Sequence, residues 1–316
     1  MVDADFGSQS SALFGEVGRR FLNDHFGLTL GVRYYEDKVF NRKNFTTPPP
    51  YNVENEYDKT SPRVVLSWYP SENLTAYTSY SEGFRSAVPV PYNIFEVEPT
   101  FPQAGPDTIH NYEVGVKGGA LDGAFRYEAA GYYIDWENVQ QVILVPFGPT
   151  FVSGLINGES ASGPGIDLGV TWRVTDNFSM AATYSWNDLT FDADVVSGGS
   201  VLFPEGSRLI MSPETTASLT GKYEWSFAGG YEAWLTASAN YVSKQLQSAD
   251  VPFGDDVVTS RASLSISTPN AHLTGTLFID NANNFDGAIY HTLAGDPASV
   301  ARARPRTFGL QLEYRY

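Results

Sequence analysis

Thr307-Phe308-Gly309-Leu310-Gln311-Leu312-Glu313-Tyr314-Arg315-Tyr316 closes the chain. Every even position is apolar or aromatic, and every odd one is small, polar or charged. Successive side chains of a strand point to opposite faces, so this segment has one greasy face and one wet face. On a helix the same residues would be scattered around the axis. The alternation recurs upstream. Leu28, Leu30, Val32 and Tyr34 are interleaved with Thr29, Gly31 and Arg33, and Val64, Leu66 and Trp68 follow the same rule. So do Tyr112, Val114 and Val116; Ile166, Leu168, Val170 and Trp172; Phe178 to Trp186; and Ala217 to Tyr223. About thirteen such segments can be traced, most of them long enough for a tilted crossing of a bilayer.

Composition agrees. The 316 residues contain no Cys, which removes disulfide scaffolds, zinc–thiolate sites and thiol catalysis. Lys and Arg number 20 against 36 Asp and Glu, a formal charge of −16, so nucleic acid is not expected as a partner. Charged residues make up 18 % and aromatics 14 %, with 29 Gly and 19 Pro to interrupt helices. The N-terminus has neither a basic nor an apolar signal-peptide region. The best uncharged run, residues 142–157, is broken by Pro146 and Pro149, so no helical span is expected. A membrane β-barrel escapes that test, because each of its strands needs only about 9–11 residues.

The connections sort by length. Short turns are expected at 22–25, 70–73, 118–123, 174–177, 225–230 and 268–271, roughly every fifty residues. Between them lie longer polar, Pro-, Gly- and aromatic-rich stretches at 38–56, 87–107, 192–209, 247–254 and 286–302. Tight turns at one end and large loops at the other are what an outer-membrane barrel shows, and a soluble sandwich has no reason to sort them so. Aromatics gather near strand ends: Tyr34 with Tyr35, Trp68 with Tyr69, Tyr132 with Tyr133 and Trp136, and Trp172, Trp186, Trp225 and Tyr241. A ring with a polar tip suits the headgroup level, although aromatics are also ordinary strand formers.

Several segments together resemble one family. Ser11-Ala12-Leu13-Phe14-Gly15-Glu16-Val17 is similar to the Ala-Leu-Phe-Gly-Glu strand of TonB-dependent outer-membrane receptors, and Leu28 to Tyr34 to their Leu-x-x-Gly-x-Arg-Tyr strand. Asn73 to Tyr77 with Ser81 to Arg85 resembles the strand ending in Gly-Phe-Arg, and Asn111 to Lys117 the Asn-Tyr-Glu-x-Gly-x-Lys strand. Asn157, Ala161, Gly165 and Asp167 keep the spacing of a further element, with Glu159 in place of a Gly and Asp167 in place of a Glu. The Arg306–Gly309 start of the last strand and the terminal Tyr316 fit as well. The resemblance runs over nearly the whole chain in order.

What it implies is an all-β, antiparallel transmembrane β-barrel in the Gram-negative outer membrane. Residues 1–316 would be the C-terminal portion, about 13 strands, of a 22-stranded receptor barrel, with the plug domain, TonB box and signal peptide absent from the chain. The function expected is energy-coupled uptake of a ferric siderophore or similar scarce nutrient, with no enzymatic role and no cofactor. The fragment alone is not expected to be competent. Expected partners are outer-membrane lipid, the barrel-assembly machinery, the ferric chelate and, only through a plug domain, the TonB complex. The last strand, with Phe308, Leu310, Leu312, Tyr314 and Tyr316, would be the barrel-assembly signal.

Strand parity bears on the fragment reading. If 10–22 and 305–316 both descend, the count is odd, and closing an odd antiparallel set would leave first and last strands parallel. An open sheet has two bare edges in lipid, each unpaired amide costing several kcal/mol. Missing strands explain this best; a partner chain that supplies them, or a count wrong by one, are the alternatives.

The substrate contacts expected on the barrel lie in the long loops: Tyr51, Arg85, Tyr92, Phe95, Phe101, Phe151, Phe203, Arg208 and Tyr290. Aromatic faces suit catecholate or other planar ligands, and Arg suits carboxylate or phosphate. The competing role for each is to pack loops against one another. Arg63, Glu113, Lys117, Arg126, Glu128, Asp167, Arg173, Lys222, Glu224 and Glu313 fall mostly on the polar face, which in a large barrel looks into a wet lumen. The pairs Asp192/Asp194 and Asp255/Asp256 lack an ordered calcium loop and read as solvated acidic loops. His25, His110, His272 and His291 are isolated, no Gly-x-Ser-x-Gly elbow occurs, and Asp107 lies near His110 in sequence without the geometry of a catalytic pair being established by that spacing. A passive porin-like channel is the alternative function, and an outer-membrane barrel hydrolase a less favoured one.

Overall fold

The computed structural model describes residues 3–44, 51–147, 150–197, 199–248, 251–252, 254–291 and 300–316. Its first strands are β1 (Asp3–Phe21), β2 (Phe26–Asn44), β3 (Tyr51–Ser71) and β4 (Leu74–Arg85), followed by the short helix α1 (Tyr92–Val97). Then come β5 (Asp107–Ala120), β6 (Phe125–Glu137), β7 (Gln140–Phe147), β8 (Thr150–Asn157), β9 (Ala161–Arg173) and β10 (Phe178–Asn187). Short loop strands follow: β11 (Thr190–Phe191), β12 (Val195–Ser197) and β13 (Ser200–Phe203). The chain continues through β14 (Thr215–Phe227), β15 (Tyr231–Val242), β16 (Leu246–Ser248), β17 (Val251–Pro252) and β18 (Val257–Ser267). It ends with β19 (Leu273–Asp280), β20 (Ala288–His291), β21 (Val300–Arg302) and β22 (Thr307–Tyr314).

One 14-stranded sheet dominates, in the order β1-β2-β3-β4-β5-β6-β9-β10-β14-β15-β18-β19-β22, with β11 attached to β9. Thirteen strands therefore form its continuous path, each antiparallel to its neighbour, as the alternation predicts. The six short turns join successive path strands at one end. At the other end stand the long connections, which carry the hairpins β7–β8, β12–β13, β16–β17 and β20–β21.

Register places the apolar series side by side. Leu30 pairs with Val17 and Val64, and Val114 with Thr78 and Gly131. Leu168 pairs with Ala129 and Tyr184, Leu219 with Ala182 and Ala239, and Leu277 with Leu264 and Leu310. Along this face Leu30, Val114, Leu168, Leu219, Leu277 and Leu310 are 43–64 % exposed, so the greasy side is turned out instead of buried in a core. On β2 the apolar outward series runs from Phe26 to Tyr34 before Glu36 and Lys38 take over. At about 3.4 Å per residue and a tilt of ~40°, that run spans roughly 20 Å, close to the apolar band of about 25 Å on outer-membrane barrels.

The adjacent aromatics divide between the faces. Tyr34, Trp68 and Tyr133 share the apolar side with Trp172, Trp186, Trp225 and Tyr241, while Tyr35, Tyr69, Tyr132 and Trp136 sit on the polar side. The ring band is thus built from one member of each neighbouring pair, a correction to reading every strand-end aromatic as part of it. Residues 38–56 are corrected too. β2 and β3 continue as strands to Asn44 and from Tyr51, so the hairpin stands well above the apolar band. β3 leaves β4 at the Arg63↔Ser81 pair, and above that seam side chains alone bridge the two, through Lys59–Glu82 at 2.8 Å. The stretch 138–160, not singled out as a long connection, forms the β7–β8 hairpin, and the main sheet passes directly from β6 to β9.

On the polar face several rings lie flat over a neighbouring glycine. Tyr77 pairs with Gly115, Tyr132 with Gly165 and Phe278 with Gly309. A Cβ on Gly165 would meet the Tyr132 ring at 2.2 Å, so the close approach requires glycine there. Gly165→Ala is expected to expel the ring and cost roughly 1–3 kcal/mol, read as a lowered midpoint in denaturant unfolding of the membrane-reconstituted protein. A midpoint equal to wild type counts against this packing.

Candidate functional site

Two regions gather chemistry: the polar wall of the sheet and the layer of loops above it. On the wall, β4, β5, β6 and β9 bring together Tyr77, Glu113, Lys117, Glu128 and Asp167 around a cavity of about 390 Å³. Tyr77 donates its hydroxyl to Glu113 at 2.6 Å, and the Lys117 ammonium lies 5.8 Å from the Tyr77 ring centre. Glu128 and Asp167 have no ion pair among the described residues, so three carboxylates face one cation. Elsewhere the wall is neutralised locally, by Arg63–Glu16 at 2.9 Å, Lys222–Glu224 at 2.6 Å, Arg261–Asp280 at 3.2 Å and Arg315–Glu313 at 2.6 Å. All ten polar positions marked in the sequence lie on this face, because alternation fixes the side and register aligns the strands.

The loop layer holds the expected substrate contacts, and it groups them in separate places. Tyr51, at the start of β3, is buried; its hydroxyl donates to the Val90 carbonyl and its ring packs on Tyr92 at 5.6 Å and Phe95 at 5.0 Å. Burial pushes the Tyr51 phenol above its ordinary range. Ile94, between Tyr92 and Phe95 on α1, is fully enclosed, so this corner is a small loop core resting against the β2–β3 hairpin. Phe203 stacks on Phe191 at 5.3 Å inside a second apolar cluster with Val139, Ile156, Val195 and Leu209, and Phe101 packs against its edge.

The two Arg candidates are engaged. Arg85 forms an ion pair with Asp107 and lies 4.7 Å above the Trp136 ring centre. Asp107 is 1 % exposed and also accepts the backbone N–H of Gln140 at 3.1 Å. Gln140 in turn donates to the carbonyls of Ser86 and Gly105, both at 2.9 Å, and Asn157 accepts from the Gly105 N–H. Three chain segments are tied at one buried carboxylate, and Asn157 joins a fourth to them through Gly105. Arg208 donates to Asn187 at 2.6 Å and approaches Asp188 at 3.4 Å. Burial lowers the Arg208 guanidinium, while Glu214 and Asp188 raise it. Phe151 and Tyr290 fall on β8 and β20, and their side chains lie outside the described residues.

Asp107, Gln140 and Asn157 were not marked as loop anchors in the sequence. The available signal was weak: an Asp directly after Gly105-Pro106 at a strand start, where a carboxylate can serve nearby amides. Asp107 and His110 are three apart on β5 and so point to opposite faces, which removes them as an acid–base pair. The acidic pairs are tied to their surroundings, not merely solvated. Asp194 accepts the Glu205 N–H, Asp192 the Ser162 hydroxyl, Asp255 the Ala288 N–H and Asp256 the Lys244 N–H. Among the described residues no three His, Asp or Glu are arranged to hold a metal ion.

Residues 2–287 match the family profile described as TonB dependent receptor-like, beta-barrel. The metal-pseudopaline receptor CntO of Pseudomonas aeruginosa PAO1 is 28% identical over 311 residues, which cover 98% of this chain and 40% of that protein. The ferric-pyoverdine 358 receptor of Pseudomonas putida is 26% identical over 305 residues, 94% of this chain and 35% of its own length. Among solved structures, the ferric yersiniabactin uptake receptor FyuA from Yersinia pestis superposes with a TM-score of 0.77 at 16% identity, over 98% of this chain and 46% of that one. The siderophore receptor PiuA from Acinetobacter baumannii gives 0.73 at 20% identity, over 100% and 44%. The structural likenesses speak for the fold. The chain spans no more than 40% of the length of these two curated relatives.

Proposed function

We propose, on the premise that this chain belongs to the TonB-dependent receptor-like β-barrel family, that it is the C-terminal wall of a receptor importing a ferric siderophore or comparable metal chelate. Its place is the Gram-negative outer membrane, where this family resides. The observation that carries the reading is the sorting of faces around thirteen antiparallel strands, apolar outward against lipid and charged inward toward a wide lumen. The names of the relatives, receptors for metal–pseudopaline and ferric pyoverdine, favour a metal chelate and a transport role.

Residues 1–316 would supply the C-terminal portion of a 22-stranded barrel, further strands pairing with the outer edges of β1 and β22. Those edges need partners, since bare amides in hydrocarbon cost several kcal/mol each. Glu113, Glu128 and Asp167 face the lumen, where cationic side chains of a plug would offset them. Energy would reach the substrate through that plug and TonB. The outward row Phe308, Leu310, Leu312 and Tyr314 with Tyr316 would be the segment read by the barrel-assembly machinery. Tyr51, Tyr92, Phe95, Phe101 and Phe203 would act mainly by shaping the loop layer in which the chelate is caught.

The test is uptake of labelled ferric chelates under iron limitation by cells producing, or deleted for, the receptor that carries this sequence. Uptake should require the receptor and stop when the proton-motive force is collapsed. Receptor-dependent flux that survives an uncoupler would point to the passive channel instead.

A further inference from the structure

Cations on the long-loop side are mostly matched to carboxylates. Lys38 reaches Glu54 at 2.5 Å, Arg42 the same Glu54 at 2.6 Å, Lys59 Glu82 at 2.8 Å and Arg208 Asp188 at 3.4 Å, and Arg85 is paired with Asp107. Arg302-Ala303-Arg304-Pro305-Arg306 departs from that rule. It sets a guanidinium at every second residue of a chain whose net charge is −16. None of the three has a carboxylate partner among the described residues; Arg302 donates only to the backbone carbonyl of Asp286. All three are exposed.

The backbone beneath them is held. Asn281, largely buried at the end of β19, donates to the Arg304 carbonyl at 3.0 Å and to the Phe285 carbonyl at 2.7 Å, and accepts the Phe285 N–H at 2.8 Å. Pro305 restricts its own φ and keeps Arg304 extended, and Thr307 then pairs with Asp280. Extended residues two apart are separated by about 6.5–7 Å, a spacing at which neighbouring guanidiniums can each hold an anionic group. Arg306 comes two residues before Phe308, the 75 % exposed first member of the outward apolar row of β22. The strip therefore begins where the lipid-facing band ends, on the long-loop side.

We propose that Arg302, Arg304 and Arg306 form a docking strip for phosphate groups of the outer-leaflet lipid, which anchors the β19–β22 side of the wall at the headgroup level. Arginine suits this task because its planar fork binds phosphate through two parallel N–H donors and never loses its charge. Continuity with the lipid-facing row selects a membrane phosphate over a soluble anion, which would be caught on the lumen side.

The receptor that carries this sequence, purified in non-ionic detergent, is titrated with phosphatidic acid, phosphatidylcholine and inorganic phosphate, and bound species are resolved by native mass spectrometry. Phosphatidic acid should bind more tightly than phosphatidylcholine. Each Arg near an anionic surface is worth roughly a factor of five, so Arg306→Gln should weaken it about fivefold and R302Q/R304Q/R306Q about a hundredfold. Phosphatidylcholine should not change. Equal retention of phosphatidic acid by wild type and triple variant overturns the proposal. So does loss of inorganic phosphate binding in the variant with phosphatidic acid unaffected, which would make the strip a soluble-anion site. Should the triple variant fail to assemble, Arg306→Gln and the unmodified receptor decide. Phosphatidic acid binding that is insensitive to a roughly tenfold rise in salt contradicts an electrostatic strip.

Discussion

Leu168→Arg is expected to cost about 2–4 kcal/mol of barrel stability, whereas Thr220→Arg is expected to cost less than about 1 kcal/mol. Leu168 sits mid-height on the outward face of β9, between Ala129 and Tyr184 in register and between Ile166 and Val170 along the strand. A guanidinium there enters hydrocarbon near the middle of the band, far from either interface. Thr220 lies on the other face of β14, opposite Ala181 and Ser238, where an added cation meets water instead of hydrocarbon. In a water-soluble protein with both positions at a surface, the two changes would be nearly equal. The difference corresponds to a factor of roughly five to several hundred in the folded-to-unfolded ratio, measurable by reversible denaturant titration in lipid vesicles. Equal costs, or the larger cost at Thr220, would mean that the faces are assigned the wrong way round.

Asp107→Ala is expected to loosen the loop layer by about 2–4 kcal/mol while leaving the strand ladders intact. The carboxylate is almost fully buried and serves the Arg85 guanidinium, the Arg85 N–H and the Gln140 N–H together. Its removal strands three donors. Half of the Arg85 side chain remains in contact with water, which holds the cost toward the lower end. The contrast is Glu54→Ala, which breaks only the exposed, solvent-screened Lys38 and Arg42 pairs and leaves no buried donor without a partner. Hydrogen exchange over residues 86–106 and 138–160 is the readout, with faster opening expected in D107A and little change in E54A. Indistinguishable exchange in the two variants would show that the loops are held by their apolar clusters alone.

Much of the fold is legible in the sequence because a strand writes its two faces into successive residues. Phe308 to Tyr314, Ile166 to Trp172 and Leu28 to Tyr34 each reveal a crossing strand, and the polar turns between them reveal where the chain reverses. The limits of that reading have one cause. Alternation continues wherever a strand continues, in lipid or above it, so residues 38–44 and 51–56 looked like a loop by composition and are strands by pairing. The same ambiguity let Tyr34 and Tyr35 both count as headgroup rings, though neighbours on one strand cannot face the same side.

The loop side chains follow a different rule. Arg85 is visibly a cation near a strand end, but its partner is 22 residues away and the amide that shares this partner is 55 residues away from Arg85. Tyr51 meets α1 only because the β2–β3 hairpin leans over residues 87–106 across the seam at Ser81. By itself, the sequence determined the strand class, the two faces, the short-turn ends and the outer-membrane family, since each of these is encoded between near neighbours. The tertiary structure alone decided which loop cations are neutralised, which carboxylates of the wall stay uncompensated and which rings become loop cores. Those outcomes depend on distances between segments far apart in the chain, and no local period records such distances.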